Sequence, residues 1–301
     1  MLWTLLVACR TDPTADADAD TVTADADADT DADSDADADS DADADADSDT
    51  DADTDTGTTP TAPWSPPPGT TWQWQLSQPV DMSLDVAVYD IDLFETPQDT
   101  IDQLHADGRI VICYFSAGSY EDYRPDADQF PPEVIGDPLD DWPGEWWVDI
   151  RSDAVRTIVS SRLDLAVSKD CDAVEPDNVD GYANRTGFDL TRDDQLDFDR
   201  FIADEAHARA LSVGLKGTVG LANELEPSFD WVLNEECLHY DECDRNQAFL
   251  DANKAVFHVE YVNRPDQAQQ LADLVCGDPS IAGFSTLIKT WDLTAFVLPC
   301  P

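Results

Sequence analysis

From residue 70 onward, short apolar runs alternate with amphipathic stretches. Nine runs read as strands: Trp72–Leu76, Val86–Ile91, Ile110–Phe115, Trp146–Ile150, Ala173–Glu175, Ser212–Leu215, Trp231–Asn234, Val256–Glu260 and Gly283–Leu287. Several are apolar throughout, the pattern of parallel strands covered on both faces. Between them lie helical patterns. Thr96-Pro97 opens one with an early proline and Gly108 closes it. Asp153–Ser168 carries apolar residues at 155, 158, 159, 163, 166 and 167. Asp193–Arg209 places Leu196, Phe198, Phe201, Ile202 and Ala206 at helical spacing, and Asp266–Cys276 is a further helix. Repeated β–α units over some 230 residues predict an α/β fold, a (β/α)₈ TIM barrel. A doubly wound sheet is the alternative, but no Gly-x-Gly-x-x-Gly follows an early strand. P-loop, Gly-x-Ser-x-Gly and metalloprotease motifs are absent too.

The segment ahead of the barrel has a different character. Residues 12–55 hold 20 Asp among Ala, Ser and Thr and no basic residue. Such a tract cannot bury an apolar core and reads as a disordered, solvated spacer. It has the Asp-x-Asp spacing but not the glycine or terminal Glu of an EF-hand loop. The start, with Leu6-Val7-Ala8-Cys9, resembles a bacterial lipobox, although the apolar stretch is short and lacks a basic n-region. The expected organisation is signal and lipobox over residues 1–9, with Cys9 lipidated, a linker over 10–69, and the barrel over 70–301. The chain is expected to be exported, to meet a membrane only through its lipid anchor, and to be a monomer.

Charge and cysteines narrow the partners. Acidic residues outnumber basic ones by 66 to 16 overall, and residues 56–301 alone carry a net charge of −31. Nucleic acid is thereby excluded, because phosphate backbones are repelled. Six cysteines follow Cys9, an even number that suits disulfides in an exported chain. Spacing favours Cys237–Cys243 across a short loop and Cys276–Cys300 from the last helix to the tail. Cys113 and Cys171 either pair or are buried thiols. With no Cys-x-x-Cys and four scattered histidines, neither a metal site nor a cofactor is expected.

In a barrel the site gathers at the C-terminal strand ends. In chain order those ends offer Asp90 and Asp92, Tyr114 and Ser116, Asp149, Glu175, Asp177 and Asp180, Lys216, Glu235, then Glu260 and Tyr261. Tyr120, Trp146 and Tyr182 add aromatic surface nearby. Carboxylates beside aromatic platforms are the equipment of glycoside hydrolysis: one acid protonates the leaving oxygen, and one carboxylate attacks or activates water.

Six motifs carry a resemblance. They are Tyr89-Asp-Ile-Asp-Leu-Phe94, Cys113 through Pro125, Glu175-Pro-Asp-Asn-Val-Asp-Gly-Tyr182, Gly214-Leu-Lys216, Asn234-Glu-Glu-Cys237 with Tyr240-Asp-Glu-Cys243, and Val259-Glu-Tyr261. In this order, from about Trp72 to Cys300, the chain resembles glycoside hydrolase family 114, the endo-α-1,4-polygalactosaminidases. The resemblance implies a barrel that cleaves α-1,4-linked galactosamine polymers internally without a metal. It implies Asp177 as nucleophile and Glu235 as general acid/base, with Glu236 or Glu260 as alternatives for the acid. Asp90, Asp92, Glu175 and Glu260 are then expected to hold sugar hydroxyls or the ammonium group, and Tyr120 and Trp146 to stack on sugars. Gly217-Thr218 departs from the family's Lys-Asn. A cationic amino-sugar polymer is the partner that a domain of net −31 would attract. A non-catalytic carbohydrate-binding barrel, or a hydrolase of another matrix glycan, are the competing readings.

Overall fold

A computed structural model describes residues 63–301; Cys9 and the Asp tract lie outside them. In chain order the strands are β1 (Trp72–Gln75), β2 (Val88–Asp92), β3 (Ile110–Ser116), β4 (Ser119–Glu121), β5 (Ile135–Pro138), β6 (Glu145–Val148), β7 (Ala173–Asp177), β8 (Ser212–Lys216), β9 (Trp231–Glu235), β10 (Val256–Val262), β11 (Ser285–Thr290) and β12 (Leu298–Pro299). The α-helices are α1 (Gln98–Ala106), α2 (Asp153–Ser168), α3 (Arg192–Ala208), α4 (Ala222–Leu225), α5 (Cys237–Tyr240), α6 (Gln247–Asp251) and α7 (Ala268–Val275).

Eight parallel strands pair in the order β1-β2-β3-β7-β8-β9-β10-β11, with β12 antiparallel on β11. The curled sheet is the expected barrel. The seam between β1 and β11 is closed by side chains instead of a ladder. The Trp72 indole N–H donates to the Ser285 carbonyl at 2.8 Å, and Lys289 Nζ reaches Gln73 Oε1 at 3.1 Å. Strands β2 and β8 are buried at every position, their charged residues Asp90, Asp92 and Lys216 included. Inside the barrel, Trp72 packs on Phe257 (4.6 Å between centroids), and Trp231 packs on Phe257 from another side (5.3 Å). Gly214 is required there, since a Cβ would stand 2.3 Å from the Trp231 ring.

The helices pack outside. Ser152 Oγ caps α2 by accepting from the Ala154 N–H, and Val155, Ile158, Val159, Leu163 and Ala166 form its buried face. Thr191 and Asp194 form a reciprocal capping box at the start of α3.

One expected barrel strand is not one. Trp146–Ile150 overlaps β6, which lies antiparallel between β4 and β5 in a separate small sheet. Residues ahead of the expected domain start are also packed: the Ala255 N–H donates to the Pro66 carbonyl at 2.7 Å, and Trp64 rests on the interior cluster. The disulfides are Cys113–Cys171, Cys237–Cys243 and Cys276–Cys300.

Candidate active site

The C-terminal strand ends surround a cleft of about 540 Å³. Alternation along β7 sends Glu175 and Asp177, two residues apart, to the same interior side. The neighbouring strands β8 and β9 deliver Lys216 and Glu235. Lys216 is the hub of these groups. Its ammonium lies 2.8 Å from Glu175 Oε1, 3.2 Å from Asp177 Oδ1 and 3.3 Å from Glu235 Oε2. It also sits 4.6 Å from the centroid of the Trp74 ring. Burial opposes its charge, but Asp177, Glu175 and Glu235 together outweigh burial and hold its pKa well above the ordinary lysine value.

Asp177 is fixed by three donors: Lys216, the Tyr114 hydroxyl on Oδ2 at 2.9 Å, and the Asn178 N–H on Oδ1 at 2.8 Å. Glu235 takes Lys216 on one oxygen and the Tyr261 hydroxyl on the other. Tyr261 is held in turn by stacking on Trp291, 4.1 Å between centroids. Burial, then the neighbouring Glu235, pushes the Tyr261 phenol upward, so it donates and does not ionise. Two oxygens at 3.2 and 3.3 Å from one nitrogen cannot be more than about 6.5 Å apart. The ammonium thus gathers one oxygen of each carboxylate on a common centre, the kind of carboxylate pair that glycoside hydrolysis uses.

The structure sorts the other expected residues. Asp92 and Asp180 line the cleft, as do Tyr114, Lys216 and Tyr261. Asp92 is also committed to Arg124 (2.8 Å) and to the N–H groups of Phe94 and Glu95. Burial, chiefly, raises Asp180 to about 6. Asp90 and Glu175 lie beneath the cleft floor, fully buried. Ser116 is buried as well and accepts from Asn178 Nδ2 at 2.9 Å, so it steadies the turn beside Asp177. Glu260 turns under α5, where Oε1 accepts from the Leu238 N–H (3.0 Å) and meets His258 Nε2 (3.1 Å). Tyr120 packs on Phe130 and Trp146 within the small sheet region, and neither it nor Trp146 lines the cleft. Asp149 follows β6, not a barrel strand, and pairs with Arg151 at 2.8 Å. Tyr182 packs toward Gly220 and the outer core. Thr218, in the departing Gly217-Thr218 pair, ties the loop down by donating to the Val179 carbonyl at 2.6 Å.

Glu236, the alternative acid, and Tyr240 line the cleft too, as do walls that the sequence reading did not single out: Trp74, Tyr123, Trp142, Trp291 and Asp292. Tyr123, Trp142, Tyr240 and Trp291 are among the exposed large hydrophobic residues, so flat rings stand on the cleft's borders. Trp291-Asp292 was findable by the strand-end rule, since β11 runs on to Thr290, three residues past the expected Leu287.

The sequence profile of glycoside-hydrolase family GH114 matches residues 53–301. No curated protein matches the chain in sequence. Among solved structures, Ega3 of Aspergillus fumigatus, crystallised in complex with galactosamine, is 44% identical over 80% of this chain and 98% of its own, with a TM-score of 0.75. The glycoside hydrolase domain of PelA from Pseudomonas aeruginosa shares the fold at 12% identity, covering 77% of this chain and 98% of that domain, with a TM-score of 0.59. A profile spanning most of the chain, a relative of this identity and a carboxylate pair at the barrel mouth agree: the chain is a glycoside hydrolase and belongs to family GH114.

Proposed function

We propose that the protein cleaves α-1,4-linked galactosamine-containing polysaccharide internally, with retention of configuration, through Asp177 and Glu235. The observation that carries this reading is the shared ammonium of Lys216, which keeps one oxygen of Asp177 and one of Glu235 within about 6.5 Å of each other. Asp177 attacks the anomeric carbon as the bond to the leaving oxygen breaks, and Glu235 gives that oxygen its proton. Glu235 then takes a proton from water, which attacks the glycosyl–Asp177 ester and frees the enzyme. Lys216 and Tyr114 orient Asp177 below the sugar, and Tyr261 orients Glu235.

Substrate charge fits the cleft. Its lining carries nine carboxyl residues and two cationic ones, so a polymer of ammonium sugars is drawn in. The galactosamine bound to the Ega3 relative supports the same sugar here. Exposed rings at the borders offer stacking faces to sugars on either side of the scissile bond, which an endo-acting enzyme needs. We propose further that no metal takes part. Asp177 and Glu235, with the buried Glu175 beneath them, already share one ammonium, and a divalent ion would have to displace it. Three disulfides suit an oxidising compartment, and export with lipid on Cys9 is part of this proposal. Labelled fatty acid should enter the protein in cells and be absent from Cys9→Ser.

The test is release of reducing ends from de-N-acetylated galactosamine polymer, with Asp177→Asn as comparison. Release by the wild type alone, with the first product in the α configuration, is expected. An initially β product would refute retention. Tight binding without release by either protein would favour a carbohydrate-binding barrel, and neither binding nor release would point to another glycan.

A further inference from the structure

Directly under the catalytic pair lies a buried carboxyl couple that the mechanism above does not use. Asp90 on β2 and Glu175 on β7 are both 0% exposed. Their carboxyl groups stand within hydrogen-bonding reach of each other. Glu175 spends one oxygen on Lys216 at 2.8 Å. Its other oxygen, and both oxygens of Asp90, meet no donor among the described residues. The indole N–H of Trp74, in register with Asp90 on β1, makes no hydrogen bond, because that ring turns its face to Lys216.

Three acceptor oxygens without a donor, in a dry barrel, would be costly if both groups were anions. One proton between them removes the repulsion and supplies the missing donor. We propose that Asp90 is a positioning residue: a neutral carboxylic acid whose O–H donates to Glu175 and so fixes the Glu175–Lys216 pair on which Asp177 and Glu235 both rest. The charged and titratable groups facing Asp90 are Glu175 and Asp177 of β7 and Lys216 of β8. Burial first, then the charge of Glu175, keeps the Asp90 proton bound well above the ordinary aspartate range. Lys216 is the single opposing charge, and its contact goes to Glu175. With Asp90 neutral, the Lys216 ammonium faces Glu175, Asp177 and Glu235 and does not have to offset a fourth anion.

The proposal rests on the hydrolase reading for its kinetic consequence, but the proton itself is open to direct measurement. Asp90→Asn keeps a donor toward Glu175 and adds no charge. It is expected to hold kcat within about threefold and to leave the kcat–pH profile within about 0.3 units, because neutral replaces neutral. Asp90→Leu removes the donor while keeping the branched shape. It is expected to lower kcat by about tenfold to a hundredfold with KM nearly constant, as Glu175 and Lys216 lose their fixed geometry. A profile displaced by a unit or more in Asp90→Asn would show that Asp90 is an anion and overturn the proposal, as would a kcat loss in Asp90→Asn equal to that in Asp90→Leu.

Infrared spectra of the wild-type protein with isotope-labelled aspartate, taken near pH 7, need no turnover. Burial also raises the fully buried Asp199. Two protonated carboxyl stretches are therefore expected, one lost in Asp199→Asn and the other persisting there. A spectrum with no band left after Asp199→Asn would overturn the proposal even if Asp90 variants failed to fold. Absence of wild-type turnover beside the persisting band would instead count against the hydrolase reading alone.

Discussion

Asp180→Asn is expected to make the protein more stable above neutral pH and no more stable in acid. Asp180 lies half-buried at the cleft, and burial is the main reason its carboxyl rises from 3.8 to about 6, with Asp177 adding repulsion. Since its folded value exceeds its unfolded one, the folded state holds the proton more tightly. Stability from this group is therefore complete below about 3.8, falls as pH rises through the interval, and is fully lost above about 6. Two units correspond to about 3 kcal/mol, and partial solvent access brings the expected figure to about 1–3 kcal/mol. Asparagine preserves the acceptor for Asn184 Nδ2, which donates to Oδ2 at 2.9 Å, and carries no charge. Urea unfolding suits the measurement, because a neutral denaturant does not screen the carboxylates. Wild type and variant should match near pH 3.5 and diverge by about 1–3 kcal/mol near pH 8, the variant being the more stable. A variant less stable near pH 8, or a gain of equal size at both pH values, would refute the reasoning. If Asp180 also binds the amino sugar, the same variant raises KM.

Other outcomes follow from the same geometry. Lys216→Met leaves Glu175 buried without its counter-ion; it should cost about 3–5 kcal/mol in a denaturation midpoint and lower kcat at least about a hundredfold. Tyr261→Phe removes the donor to Glu235 while keeping the stack on Trp291, so kcat should fall about tenfold with at most about 1 kcal/mol of stability lost. A strong chelator should leave the initial rate unchanged. Replacing Cys113 and Cys171 by Ser opens a crosslink of 58 residues and should cost about 4 kcal/mol in the unfolding free energy, against about 2 kcal/mol for the 6-residue Cys237–Cys243 link.

The barrel was readable because its strands are buried on both sides, so that Ile110–Phe115 or Ser212–Leu215 stand out as apolar blocks against polar loops. Trp146–Ile150 shows the limit of that signal. Glu145-Trp-Trp-Val148 is as apolar as a barrel strand, but its partners are β4 and β5, and apolarity along a chain does not name a partner. Asp149 was misplaced with it. Asp177, Lys216 and Glu235 were legible as strand-end residues inside motifs, and the structure brings all three together. Glu260 looked equivalent by position, yet the adjacent α5 offers it a backbone N–H, and it serves the loop instead of the cleft. Trp142 and Tyr123 were hidden for another reason: they line the cleft from connections outside the parallel barrel strands, in a region whose fold depends on the small sheet.

The docking of Trp64 and Pro66 has a consequence for access. Pro66 bonds to Ala255 and Ser65 to Asp230, residues just ahead of β10 and β9, so the chain meets the barrel at the base, opposite the mouth. Residues 64–66 thus occupy the closed end and leave the mouth clear. A long glycan lying across the catalytic pair therefore meets the rings of the cleft border and not this docked segment.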